Sequence, residues 1–199
     1  MSDRTYSGLF IAEGSSDQPL AEHIELLFYE RGVDVKLSHP AFERLPKVGK
    51  DVGSRVESGI KLMDGDADLI VVHRDADNAG HQARLNEIRT AVGTLMTEAW
   101  LLLDEAAIRQ VAGNPRGRMN LGLPKLHEVE STADPKRLLR ECILRAAEVT
   151  GRRRETVKGR FDEHRRQLLS RLDRSGPVRR LDSWNRLVNE IDHVVKYLR

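Results

Sequence analysis

The chain has a single cysteine, Cys142, among its 199 residues. One thiol excludes an internal disulfide and a cysteine-rich zinc site. It falls among Leu138, Leu139, Ile143 and Ala146 and reads as a core thiol. Aromatic residues are scarce, at 5%. No apolar run approaches the roughly 18 residues of a membrane-spanning helix. The first residues, Met1-Ser2-Asp3-Arg4, carry no secretory-signal pattern, so a cytoplasmic protein with no membrane partner is expected. There is no internal repeat, no low-complexity tract and no P-loop. What remains is enough chain for one domain with an appendage, or for two small ones.

The net charge of +2 conceals an asymmetry. Residues 1–135 hold 15 Lys+Arg against 22 Asp+Glu, a net of −7. Residues 136–180 hold 15 against 6, a net of +9. An acidic part suited to a metal is thus followed by a basic segment suited to phosphates. Arg152, Arg153, Arg154, Lys158 and Arg160 fall close together, and Arg165 and Arg166 continue the series. Phe161 is the segment's one aromatic, so stacking on bases is not indicated. Any contact there is expected to be with the backbone of a nucleic acid or an acidic protein surface. The plain alternative is a set of solvated helices.

Two acidic motifs each end an apolar run. The first is Leu9-Phe10-Ile11-Ala12-Glu13-Gly14-Ser15-Ser16-Asp17, and the second is Leu69-Ile70-Val71-Val72-His73-Arg74-Asp75-Ala76-Asp77. Both runs read as buried strands that stop where carboxylates appear. Ligands of open parallel sheets sit just beyond the carboxyl ends of the strands. Two such strands side by side would gather Glu13, Asp75 and Asp77, and clustered carboxylates suit a hard cation, Mg²⁺ with Mn²⁺ as a substitute. Asp75 and Asp77 are two apart, so in extended chain they point the same way. Gly14 permits a sharp turn and close approach to a phosphate. Lys125 or Lys136 would add positive charge to a phosphoryl transition state. Asp17 suits the first turn of a helix, through the dipole, better than it suits a metal. His73-Arg74-Asp75 imitates a kinase catalytic loop, but the glycine-rich loop and strand lysine of kinases are missing. His73, His81 and His127 have no metal-type spacing and read as core or surface residues.

Along the chain, strand-like runs cover residues 6–12, 33–37 and 69–73, with a short fourth at 92–96. Helical spacing covers 17–31, 52–63 and 81–91 between and after them. This β-α-β-α-β-α order predicts a parallel α/β sheet of about four strands flanked by helices, Rossmann-like in build. From residue 98 the pattern is wholly helical: 98–111, 135–149, 154–172 and a last helix from Asp182. That last helix carries a broad apolar face of Trp184, Leu187, Val188, Ile191, Val194, Val195 and Leu198. The division expected is an α/β domain over 1–104 and a helical region over 105–199.

A strand, Glu-Gly-x-x-Asp, a helix, then an apolar strand ending in Asp-x-Asp resembles the Toprim fold of topoisomerases, primases, recombination mediators and overcoming-lysogenization-defect nucleases. Thr97-Glu98-Ala99-Trp100 looks like the Glu-x-Trp segment of a small Toprim-like family near those nucleases. The resemblance covers roughly residues 6–140. It implies Mg²⁺-binding or acid–base roles for Glu13, Asp75 and Asp77, with Glu98 as the further acid. Ala79 stands where topoisomerases extend the Asp-x-Asp by a third acid, so the nuclease-like pattern fits better. Glu98, beside Trp100, fits a buried acid paired with an arginine equally well. The resemblance implies a nuclease of phage defence acting with a separate ABC-type ATPase. Catalytic residues would be Glu13, Asp75, Asp77, Glu98 and Lys136. The second expectation is a non-catalytic Toprim-like subunit that docks a partner through the last helix. A primase or nucleotidyl transferase would lack its zinc-binding and polymerase parts. DNA or RNA as substrate, and self-association, stay open.

Overall fold

A computed structural model describes residues 4–12, 14–42, 48–49, 51–65, 67–73 and 97–199. The chain divides into two compact units, Met1–Leu95 with Asn185–Arg199, and Met96–Trp184. The sequence-based division at residue 104 kept the last helix with the helical region. The C-terminal segment instead returns to the α/β unit.

In the α/β unit, the described strands are β1 (Thr5–Ile11), β2 (Asp34–Ser38) and β3 (Leu69–Val72). All pair in parallel, in the order β2-β1-β3, with Ile11 opposite Val72. The first strand is therefore central. Helix α1 (Gln18–Tyr29) links β1 to β2, and α2 (Val52–Leu62) links β2 across to β3. The crossovers run in opposite directions from the centre, and right-handed connections then place the two helices on opposite faces. Helix α1 buries Leu20, Ile24, Leu27 and Phe28, a stripe at helical spacing. On the other face Leu9, Ile11 and Val72 form a core with Val52 and Phe42, against which Val56 and Ile60 pack. Helix α2 begins at Asp51, whose carboxylate accepts from the Ser54 amide at 2.8 Å. Gly59 brings α2 close to the sheet, since a Cβ there would lie 2.5 Å from Leu9 Cδ2. The expected helix 81–91 and fourth strand 92–96 lie outside the described residues.

The helical unit contains α3 (Thr97–Leu101), α4 (Glu105–Val111), α5 (Pro135–Ala147), α6 (Gly151–Gly159) and α7 (Phe161–Ser170). Helix α8 (Asp182–Leu198) begins in this unit. Two helices expected to be continuous are each broken. Asp104 is extended and caps α4 through the Ala107 amide, separating α3 from α4. Arg160 alone separates α6 from α7 where the periodicity ran through. The start of α5 follows the sequence: Asp134 caps the Arg137 amide at 2.8 Å, with proline next. Leu139, Cys142, Ile143, Ala146 and Leu169 form the interior, and Trp100 meets Trp184 edge-on at 5.2 Å. No described helix is long and apolar enough to cross a membrane.

Candidate functional site

The carboxyl edge of the sheet is built from the exits of β1 and β3. The His73 amide donates to the Ile11 carbonyl at 2.7 Å and prolongs the ladder by one step. Beyond Ala12, Gly14 is extended (φ −153°, ψ 175°), and among the described residues nothing lies within 4 Å of its Cβ position. The sharp turn expected of Gly14 is therefore absent. Ser15–Asp17 form a 3-10 turn that leads into α1.

Asp17 does not serve as a side-chain cap. Its Oδ1 lies 3.3 Å from His73 Nε2, with both side chains 2% exposed. An acid from the β1 exit and an imidazole from the β3 exit thus meet under the edge. Both looked individually ordinary in the sequence. Their one shared signal is position, each just past an apolar strand. From α2, Arg55 reaches the same edge. Its Nη1 donates to the Ala12 carbonyl, and its guanidinium sits 5.7 Å from the Phe42 ring centroid. A cleft of about 30 Å³ lies here, lined by Ala12, Gly14, Ser15, Gln18, His39 and Arg55 among others. Sequence reading missed Arg55, because a lone arginine on an amphipathic helix carries no motif.

Glu13, Asp75 and Asp77 lie outside the described residues. Among the described residues, no group of three or more His, Cys, Asp or Glu is arranged to hold a metal.

Glu98 belongs to the helical unit. It is 4% exposed, and its Oε1 lies 2.8 Å from Arg165 Nε. Arg165 also donates to Thr97 Oγ1 at 3.1 Å. Two residues expected in separate roles, metal ligation and phosphate binding, are thus brought together as a buried ion pair. Arg165 is correspondingly withdrawn from the exposed basic series, at 2% exposure. The α7 stripe explains this: Phe161, His164, Arg165, Leu168 and Leu169 all face inward. Burial, helped by the charge of Arg160 and opposed by Glu163, pushes the His164 imidazole below its usual range. Arg152, Arg153, Arg154, Lys158, Arg160 and Arg166 remain exposed. Lys136 is half-buried in the first turn of α5, and Lys125 is exposed before a 3-10 turn. Cys142 is buried, which raises its thiol pKa to about 11.

Comparison with protein-family models, with curated proteins and with solved structures finds no match to this chain.

Proposed function

We propose that the protein is a metal-dependent nuclease, hydrolysing phosphodiesters with Mg²⁺ held by Glu13, Asp75 and Asp77. One observation carries this reading: β1 and β3 are neighbours, parallel, with Ile11 opposite Val72. The segments that carry the two acidic motifs therefore leave one edge of one sheet from adjacent strands. Adjacent strands are about 4.8 Å apart, a span that two carboxylates around one Mg²⁺ can bridge. Had β2 separated them, the spacing would be about twice that.

A bound Mg²⁺ supplies charge to the phosphodiester and lowers the pKa of a coordinated water. The chain's own contribution is to fix what surrounds that ion. Arg55 places a positive charge beside the edge, held by the Ala12 carbonyl and the Phe42 ring. Asp17 and His73 brace the two strand exits against each other. Gly14 has no described residue within 4 Å of its Cβ position, which favours a phosphate close to the backbone there. A defence role with a separate ATPase belongs to the same reading and rests on the Toprim-like motifs.

The competing reading, a docking subunit, needs the apolar face of α8 to be free. Trp184, Leu187, Ile191 and Val195 are buried, while Val188, Val194 and Leu198 of the same face are partly exposed, which favours the nuclease reading over docking through α8.

The test is cleavage of single- and double-stranded DNA and RNA with Mg²⁺ or Mn²⁺. Asp75→Asn, an isosteric change, is expected to keep the fold, weaken Mn²⁺ binding and abolish cleavage. Cleavage by this variant at the parent's rate sinks the assignment.

A further inference from the structure

The loop after α4, residues 113–122, has no regular secondary structure, yet it is tied down along its length. The Glu148 carboxylate accepts from the amides of Arg118 at 2.7 Å and Met119 at 2.8 Å. Asn114 Nδ2 donates to the Ala146 carbonyl at 3.0 Å. Arg109 donates to the Met119 carbonyl at 2.7 Å, and Arg145 to that of Leu121 at 3.0 Å. Gly117 is needed for this approach, because a Cβ would lie 2.6 Å from Asn114 Nδ2 and 2.8 Å from Glu148 Oε1. Glu148 itself sits in the left-handed region, at φ +50°, where α5 ends. The Met119 and Arg118 amides hold its carboxyl below the usual range. Surface loops ordinarily lack so many ties.

The consequence is a juxtaposition. Glu148 pins Arg116-Gly117-Arg118 beside the chain that enters α6 at Gly151. The first turn of α6 carries Arg152, Arg153 and Arg154. All five arginines are exposed, and among the described residues none is in an ion pair. Helix α6 buries no side chain at all. Its arginines therefore anchor nothing in the core, and like charges crowded in a first turn cost stability. The guanidinium fork matches phosphate oxygens in a bidentate way. Helix α6 offers Val157 as its only apolar side chain, so the apolar centre of a protein interface is missing.

We infer that Arg116, Arg118, Arg152, Arg153 and Arg154 form one built surface for the phosphate backbone of a nucleic acid, with Glu148 as the latch that joins its two segments. The identity of the polyanion rests on the nuclease reading; the surface itself rests on the geometry.

The test is binding of the full-length protein to a fluorescein-labelled mixed-sequence DNA duplex and its RNA counterpart, followed by anisotropy in EDTA at three KCl concentrations. Chelation stops any cleavage, so binding is read alone. Arg152→Gln/Arg153→Gln/Arg154→Gln and Arg116→Gln/Arg118→Gln should each weaken binding by roughly tenfold or more, and lower the log–log salt slope by about 0.9 for each phosphate no longer neutralised. Glu148→Ala separates a built surface from mere charge. Loss of one negative charge alone would tighten binding, whereas loss of the latch weakens it. Glu148→Gln keeps the acceptor oxygen and should bind at least as well as the parent. Unchanged affinity and slope for the triple variant, or tighter binding by Glu148→Ala, overturns the inference. So does a parent that ignores both duplexes but binds labelled polyglutamate through these arginines, which would mark an acidic-protein site. A parent that cleaves while the variants bind normally leaves the nuclease reading standing. A parent that binds through these arginines but never cleaves leaves the surface standing without it.

Discussion

At the scale of the residue, the Glu98–Arg165 pair is the clearest case of an environment deciding a role. Both side chains are almost fully withdrawn from water, and Thr97 Oγ1 accepts a further hydrogen bond from the guanidinium. Removing one partner of such a pair leaves the other charge buried, which costs about 3–5 kcal/mol. Glu98→Gln is therefore expected to lower the urea midpoint strongly. Glu98→Leu/Arg165→Met, which removes both charges and keeps volume, should recover most of that loss. A Glu98→Gln protein that unfolds with the parent's midpoint would show that the pair contributes nothing to stability. If it also lost cleavage with the fold intact, Glu98 would belong to the chemistry. The sequence left both roles open for Glu98, because a glutamate beside a tryptophan reads alike whether it meets a metal or an arginine. The arginine that settles its surroundings comes from another helix.

At the scale of the element, most helix starts were legible because their signals are local. Asp51 and Asp134 each cap an amide three residues on, whereas the same cap at Asp104 falls inside a stretch whose periodicity reads as one helix. Breaks within helical patterns were less legible. Periodicity runs smoothly through residues 98–111 and 154–172, yet each stretch contains a break between two helices. The fit of helix on sheet is likewise invisible in the pattern. Gly59 looks like a weak spot in α2, but its missing side chain is what lets α2 sit on Leu9. Gly59→Ala is expected to destabilise by about 1–3 kcal/mol, the usual cost of overpacking. A chemical-denaturation curve coinciding with the parent's would mean that Leu9 swings aside freely. In an exposed helix the same substitution would stabilise, so the sign of the change reads the packing directly.

At the scale of the whole molecule, the C-terminal segment is an integral part of the α/β unit. The Tyr6 hydroxyl donates to the Leu198 carbonyl, Arg31 pairs with Asp192, and Arg199 donates to the Arg31 carbonyl. Leu187, Ile191 and Val195 are buried at a spacing of four residues. A chain ending at Trp184 should therefore lose cooperative unfolding of the α/β unit, and proteases should cut within residues 5–38. A synthetic peptide of residues 182–199, added in excess, should restore part of the melting temperature by mass action. If the shortened protein melts as the parent does, the segment is dispensable. The sequence showed the amphipathic face of this helix but not its destination. An apolar stripe states that something covers it, and three-dimensional closure of the chain supplies what.

By itself, the sequence determined the α/β class, the three described strands and their helices, the helical character after residue 97, and the two acidic motifs at strand ends. These follow from spacing over a few residues, where backbone geometry and burial of one face act directly. The tertiary structure alone decided the order β2-β1-β3 and hence that β1 and β3 share an edge. It also decided the pairs Asp17–His73 and Glu98–Arg165, and the bond from Glu148 that joins a loop to a helix. Each of these links side chains or strands far apart in sequence. Their partners are selected by what packing brings within hydrogen-bond reach and by the cost of leaving a buried charge alone, and neither is written in local spacing.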